Sequence, residues 1–249
     1  MKELLKITSL TNSHIKELAL LANSKERNAK KKVLLEGEHL VKEAYGLGVL
    51  EEVLIVDEND YLDGVNNILV TKDIIKKLST TATPQSIIGI AKIVDKEIEF
   101  GNTILLLDGI SDPGNLGTIV RTAKAFDVSS IILSSRSIDI YNEKVIRATQ
   151  GAIFKMPIIK MNMLDAISLL KDKGYLVLAT ALKDASYLDS IDKVDKYALV
   201  LGNEATGVSK EVIEASDKVV KIKMSENVES LNVAIACGIC LYDLNNKRK

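Results

Sequence analysis

Histidine is nearly missing from this chain. Only His14 and His39 carry an imidazole among 249 residues, so nothing from residue 101 onward can supply one. A Ser–His–Asp triad and a His-ligated zinc site are thereby excluded from the C-terminal part. A general base there is Asp, Glu, Lys, Tyr or a less usual group. Cysteine is equally scarce, and Cys237 and Cys240 do not make a disulfide framework. No run approaches the roughly 20 apolar residues of a membrane span, and charges break the opening MKELLKITSL where a signal peptide has its apolar core. The expectation is a soluble cytoplasmic protein that meets no membrane. Charge of one sign is lacking too. With 33 Lys+Arg against 34 Asp+Glu, any nucleic-acid surface has to be a local patch. Neither G-x-x-x-x-G-K-[ST] nor G-x-G-x-x-G occurs, which removes the two common phosphate-binding loops of α/β proteins.

What is present is 47% hydrophobic residues, ample for a packed core, arranged in two rhythms. Residues 1–97 read as a small α/β domain. It has a helix after Thr11-Asn12-Ser13, a basic loop over 25–32, strands near 33–35, 53–56, 68–70 and 87–93, and helices over 38–47 and 71–78. The charged stretch Asp95–Glu99 marks a linker. From 98 to 249 the pattern becomes strict βα alternation. Near-continuous apolar runs fall at 104–107, 130–133, 176–179, 198–201 and 219–222, and a last helix spans 231–244. That pattern predicts a parallel sheet covered on both faces, with ligands bound beyond the carboxyl ends of its strands.

Three segments at those ends draw attention. In Asp112-Pro113-Gly114-Asn115-Leu116-Gly117, Pro-Gly turns the chain and Asn115 reads as a helix N-cap, with Arg121 nearly two turns along. This is either an anion site or an ordinary capped turn with a surface arginine. In Gly202-Asn203-Glu204-Ala205-Thr206-Gly207, two glycines flank a carboxylate. They permit either the close approach of a flat ligand or a plain tight connection. In Ser230-Leu231-Asn232, two polar residues open an apolar helix where one would suffice as a cap. Cys237-x-x-Cys240 sits inside that helix and lacks further metal ligands, so both thiols read as small core residues. A redox or metal protein built on them is the competing class. Lys25, Arg27, Lys30, Lys31 and Lys32 form a basic cluster without aromatic partners, either a solvated face or a set of RNA backbone contacts.

Taken in order, the three segments resemble the three motifs of the SpoU (TrmH-type) RNA ribose methyltransferases of the SPOUT class: Asp112–Gly117 with Arg121, Leu201–Glu204 with Gly207, and Ser230–Val233. Residues 1–97 are similar to the substrate-binding domain of rRNA-modifying members, through Ser24-Lys25-x-Arg27 and Leu35-Glu36-Gly37-Glu38-x-Leu40. Asn203 stands where Ala is frequent in the family, and Ala234 where Ser is. The resemblance implies an α/β catalytic domain whose C-terminal part threads a deep trefoil knot, working as a homodimer. It implies S-adenosylmethionine as methyl donor, no metal, and a ribose 2′-hydroxyl as acceptor. By the same resemblance Thr180, Gly202, Asn203, Gly207, Ile222, Met224 and Leu231 hold the cofactor. Arg121 activates or electrostatically stabilises the acceptor oxygen, and Asn115, Glu204, Ser230 and Asn232 orient the parts. The basic N-terminal domain points to large-subunit ribosomal RNA. Transfer RNA, an antibiotic-resistance rRNA target, and a non-catalytic RNA-binding factor are the alternatives.

Overall fold

The computed structural model describes residues 4–225 and 227–247. The chain divides into two compact units, Met1–Asp95 with Asp139–Phe154, and Lys96–Ile138 with Lys155–Lys249. The excursion 139–154 groups with the first unit for a definable reason. Asp139 takes an ion pair from Arg27, and Arg147 donates to the Thr80 hydroxyl.

In the first unit β1 (Leu5–Ile7), α1 (Ser13–Ala19) and α2 (Ser24–Lys30) precede β2 (Lys32–Glu36), α3 (Glu38–Gly46), β3 (Leu50–Ile55), β4 (Asn66–Val70), α4 (Lys72–Leu78) and β5 (Ile87–Lys92). The sheet order is β1-β4-β3-β5-β2, with β5 antiparallel to both its neighbours and the other pairs parallel. Ile15 and Leu18 of α1, with Ile74, Ile75 and Leu78 of α4, bury one face of the sheet against Leu54, Ile68, Ile88 and Ile90. The expected basic loop is instead mostly helix. The Asn23 side chain caps the Lys25 N–H, and Lys31 stops the helix in the left-handed region at φ 51°.

In the second unit β6 (Thr103–Asp108), α5 (Pro113–Ala125) and β7 (Ser130–Leu133) are followed, beyond α6 (Glu143–Thr149) of the first unit, by β8 (Ile158–Lys160) and α7 (Met163–Asp172). Then come β9 (Leu176–Thr180), β10 (Ser186–Tyr187), β11 (Tyr197–Gly202), α8 (Lys210–Ala215), β12 (Lys218–Lys221) and α9 (Val233–Asn246). All strand pairs are parallel, in the order β10-β12-β9-β11-β6-β7-β8. Every residue of β6, β7 and β11 is buried, which is why those strands read as unbroken apolar runs. The register pairs Gly202 with Asp108, Leu107 with Leu133, and Val220 with Thr180. The ends of five parallel strands therefore share one edge of the sheet, and the candidate segments leave from it.

Candidate active site

Proline decides where α5 begins. With φ fixed near −65° and no N–H to satisfy, Pro113 suits the first helical position, which makes Asp112 the cap. The Asp112 carboxylate accepts the Asn115 N–H at 2.7 Å. Asn115 is therefore not the N-cap that the sequence suggested. It lies inside the first turn with its side-chain amide free for other work.

That amide joins the three segments. Asn115 Nδ2 donates to Glu204 Oε1 at 3.0 Å, and Asn115 Oδ1 accepts from Asn232 Nδ2 at 2.8 Å. Glu204 is further held by the Ser111 hydroxyl at 2.9 Å and by the N–H groups of Ser111 and Asp112, at 3.3 and 3.2 Å. Burial alone would raise its pKa. The donors from Asn115, the main chain and Ser111 outweigh burial and hold the carboxyl below its ordinary value. Glu204 is thus an ionised tether, ill-suited to take a proton. Asn232 works twice over, because its Oδ1 caps α9 by accepting from the N–H groups of Ala234 and Ile235 while its Nδ2 reaches Asn115.

The Gly202–Gly207 loop is closed by its own main chain. Asn203 and Gly207 exchange backbone hydrogen bonds at 3.0 and 2.8 Å, while Asn203 Oδ1 accepts from the N–H groups of Ala205 and Thr206. A Cβ on Gly202 would stand 2.0 Å from the Val208 nitrogen, and Gly207 sits at φ 70°, so both glycines are required by the backbone. Asn203 Nδ2 also donates to the Gly109 carbonyl at 2.8 Å, an anchor that Ala at this position could not supply.

Of the remaining expected cofactor residues, Thr180 ends β9 and donates to the Val200 carbonyl, while Ile222, Met224 and Leu231 are half-buried in the irregular segments around β12 and α9. None of the seven expected cofactor residues carries a charge, chemistry that fits an adenosyl group better than a polyphosphate. Arg121 and Ser230 are exposed, and neither is bonded to the Asn115–Glu204–Asn232 network among the described residues.

One participant escaped the sequence reading. Asp108 ends an apolar strand and is 1% exposed. Its carboxylate accepts from the Ser209 N–H and hydroxyl at 3.0 and 2.7 Å and pairs with Arg136 at 2.7 Å. Burial opposes ionisation here, but the Ser209 and Arg136 donors hold its pKa below the usual carboxylate value. The available signal was an acid immediately after four apolar residues, since a buried charge needs partners.

The basic cluster of the first unit needs correction. Arg27 is buried, and its guanidinium donates to the carbonyls of Leu21 and Ala22 and to Asp139 at 2.6 Å, so it serves the fold and not an RNA surface. Lys25 is exposed, while Lys30, Lys31 and Lys32 pair with Glu17, Asp95 and Glu51. Cys237 and Cys240 are free and buried in α9, and burial pushes the Cys240 thiol up to about 12. Neither is a reactive thiol.

Residues 102–242 match the SpoU rRNA Methylase family. The chain belongs to that family. As a SpoU methylase it is an S-adenosylmethionine-dependent RNA 2′-O-methyltransferase. Residues 12–89 match the MRM3-like substrate binding domain. A Bacillus subtilis relative named 23S rRNA (guanosine(2553)-2'-O)-methyltransferase RlmP is 33% identical over 96% of this chain and 98% of its own. A crystal structure of an AdoMet-bound rRNA methyltransferase from Sinorhizobium meliloti is 31% identical, covers 98% of each chain and superposes with a TM-score of 0.87. The methyltransferase AviRb from Streptomyces viridochromogenes, 21% identical with a TM-score of 0.82 over 95% of this chain and 98% of its own, shares the fold. No helix among the described residues is long and apolar enough to cross a membrane.

Proposed function

We propose that this SpoU methylase acts on large-subunit ribosomal RNA. The observation that carries the reading is the Asn232–Asn115–Glu204 chain of hydrogen bonds, which joins three segments spread over 117 residues at the carboxyl edge of the sheet. The name of the Bacillus subtilis relative, which covers nearly the whole chain, supports 23S rRNA over transfer RNA.

When bound, S-adenosylmethionine supplies an electrophilic methyl group on a sulfonium. The chain's task is to place the acceptor oxygen in line with it and to favour that oxygen's charge. Main chain at Gly202, Asn203 and Gly207, with Thr180, Ile222, Met224 and Leu231, forms the cofactor set. Arg121 binds the phosphate beside the acceptor and stabilises the oxygen as its proton passes to solvent water. Asn115, Glu204 and Asn232 fix α5 and α9 against the Gly202–Gly207 loop, and Ser230 contacts the ribose. In the first 97 residues Lys25, Lys30, Lys31 and Lys32 serve the RNA backbone. The surface ion pairs of Lys30, Lys31 and Lys32 are worth little and exchange readily for phosphates.

Two further features belong to the same reading. Ile235, Ile239 and Tyr242 of α9, at 56, 39 and 63% exposure, form an apolar stripe at helical spacing on the helix that Asn232 caps. A second copy covering that stripe gives a closed homodimer beside the site. The trefoil knot of the class is consistent with β12 inserting between β10 and β9 before α9 returns to pack on α5. We place the activity in the cytoplasm, with its substrate.

The test is Arg121→Ala assayed with rRNA and tRNA in parallel. Transfer to rRNA is expected to vanish while S-adenosylmethionine binding stays within a few-fold. A variant that keeps its kcat, or a wild type that methylates only tRNA, contradicts the proposal.

A further inference from the structure

Resting on that reading, we infer that Arg136 is a second RNA-phosphate anchor of the active site, aimed by the buried carboxylate of Asp108. Arg136 follows β7, where the motifs do not reach, and its side chain is 61% exposed. Its partner is not. Asp108 is 1% exposed and binds one guanidinium nitrogen at 2.7 Å through Oδ1, while Oδ2 is engaged by both donors of Ser209. A fully buried acid thus grips one edge of a guanidinium whose remaining N–H groups are turned to water.

Neutralising Asp108 does not by itself explain this geometry. An exposed arginine on a mobile loop would lose most of its pairing energy to screening and side-chain entropy. Here the loop is stitched to the edge of the sheet. The Ser134 N–H donates to the Leu107 carbonyl at 3.0 Å, and the Ile138 N–H donates to the Ile110 carbonyl at 2.9 Å. The Gly109 N–H reaches the hydroxyls of Ser134 and Ser137 at 2.9 and 3.2 Å. Residues 109 and 110 lead directly into Ser111 and Asp112, which donate to Glu204. The guanidinium is therefore fixed on the same edge as the Asn115 network, on the Asp108 carboxylate that Ser209 also holds.

A planar fork whose rotamer is already set loses little entropy on meeting a phosphate, and water replaces its open donors only weakly. The ligand chemistry that fits is one backbone phosphate flanking the acceptor nucleotide. Glu211 also attracts the guanidinium, less strongly than Asp108 does. An anion on the open edge of the guanidinium completes its donors.

The experiment compares wild type, Arg136→Gln and Arg136→Lys, using an unmodified transcript of large-subunit rRNA and S-adenosylmethionine as separate titrants at several salt concentrations. Gln keeps a neutral donor for Asp108, and Lys keeps the charge without the fork. For Arg136→Gln the RNA Kd is expected to rise about tenfold, with the slope of log K against log salt shallower by about 0.7–0.9, the loss of one phosphate contact. Arg136→Lys should keep the slope and lose only part of the affinity. Cofactor Kd should stay within about twofold throughout. An unchanged slope in Arg136→Gln overturns the inference. So does cofactor affinity falling in step with RNA affinity, which would mark a structural partner of Asp108. If wild type neither binds nor methylates the transcript, the functional reading falls and takes this anchor with it.

Discussion

Replacing Asn115 by Ala removes the one side chain among the described residues that touches both other motifs. Its bond to ionised Glu204 is charge-assisted, worth about 1.5–3 kcal/mol, and its bond from Asn232 is neutral, worth about 1 kcal/mol. The position is half-buried, so water recovers part of this, and a net loss of about 2 kcal/mol is a fair expectation. For a chain of this length that corresponds to a melting midpoint lower by roughly 4–8 °C. If the same interactions hold the loops for methyl transfer, kcat falls about 30-fold, since each 1.36 kcal/mol is a factor of ten. Scanning calorimetry and single-turnover transfer measure the two independently. Asn232→Ala breaks one of the same bonds, so the double variant should lose about 1 kcal/mol less than the sum of the singles. Strict additivity, or a kcat within about threefold of wild type, refutes the idea that this amide knits the site.

Glu204→Gln should flatten the acid side of the stability curve. A carboxylate with its folded pKa held low contributes stability that is present above its ordinary value near 4.5 and is lost as pH falls below it. Urea titrations from pH 6 to about 3 should show the wild type losing stability faster than the variant. Gly202→Ala drives a Cβ to 2.0 Å from a backbone nitrogen, a clash with no flexible side chain to yield. Cofactor binding followed by calorimetry should disappear, with about 1–3 kcal/mol of stability lost. Arg27→Ala strands Asp139 and two carbonyls and should cost about 3 kcal/mol in stability. An unchanged midpoint with weaker RNA binding would restore the RNA-contact role that burial argues against.

Much of the catalytic unit is legible in the sequence, because fully covered parallel strands leave apolar runs that no loop imitates. The runs at 104–107, 130–133, 176–179 and 198–201 lie within β6, β7, β9 and β11. Strands of two or three residues, β1, β8 and β10, are too short to carry a period and were not expected. The misplaced cap at Asn115 had its remedy in plain view. A proline favours the first helical position, which names Asp112 and frees Asn115 for the site. Arg27 shows the opposite failure. Charge composition marks it as surface, and only the partner Asp139, 112 residues on, reveals a buried ion pair. Arg136 was missed for the same cause, since its partner lies at the end of a neighbouring strand, whereas Asp108 left a local mark as an acid closing an apolar run.

Transfer of labelled methyl from S-adenosylmethionine to large-subunit rRNA, followed by alkaline hydrolysis, tests the central claim most directly. A 2′-O-methyl blocks cleavage at its own phosphodiester, so the label is expected in an alkali-resistant dinucleotide. Label released as a mononucleotide would mean a methylated base, and would contradict the acceptor on which the roles of Arg121, Asn115 and Arg136 depend.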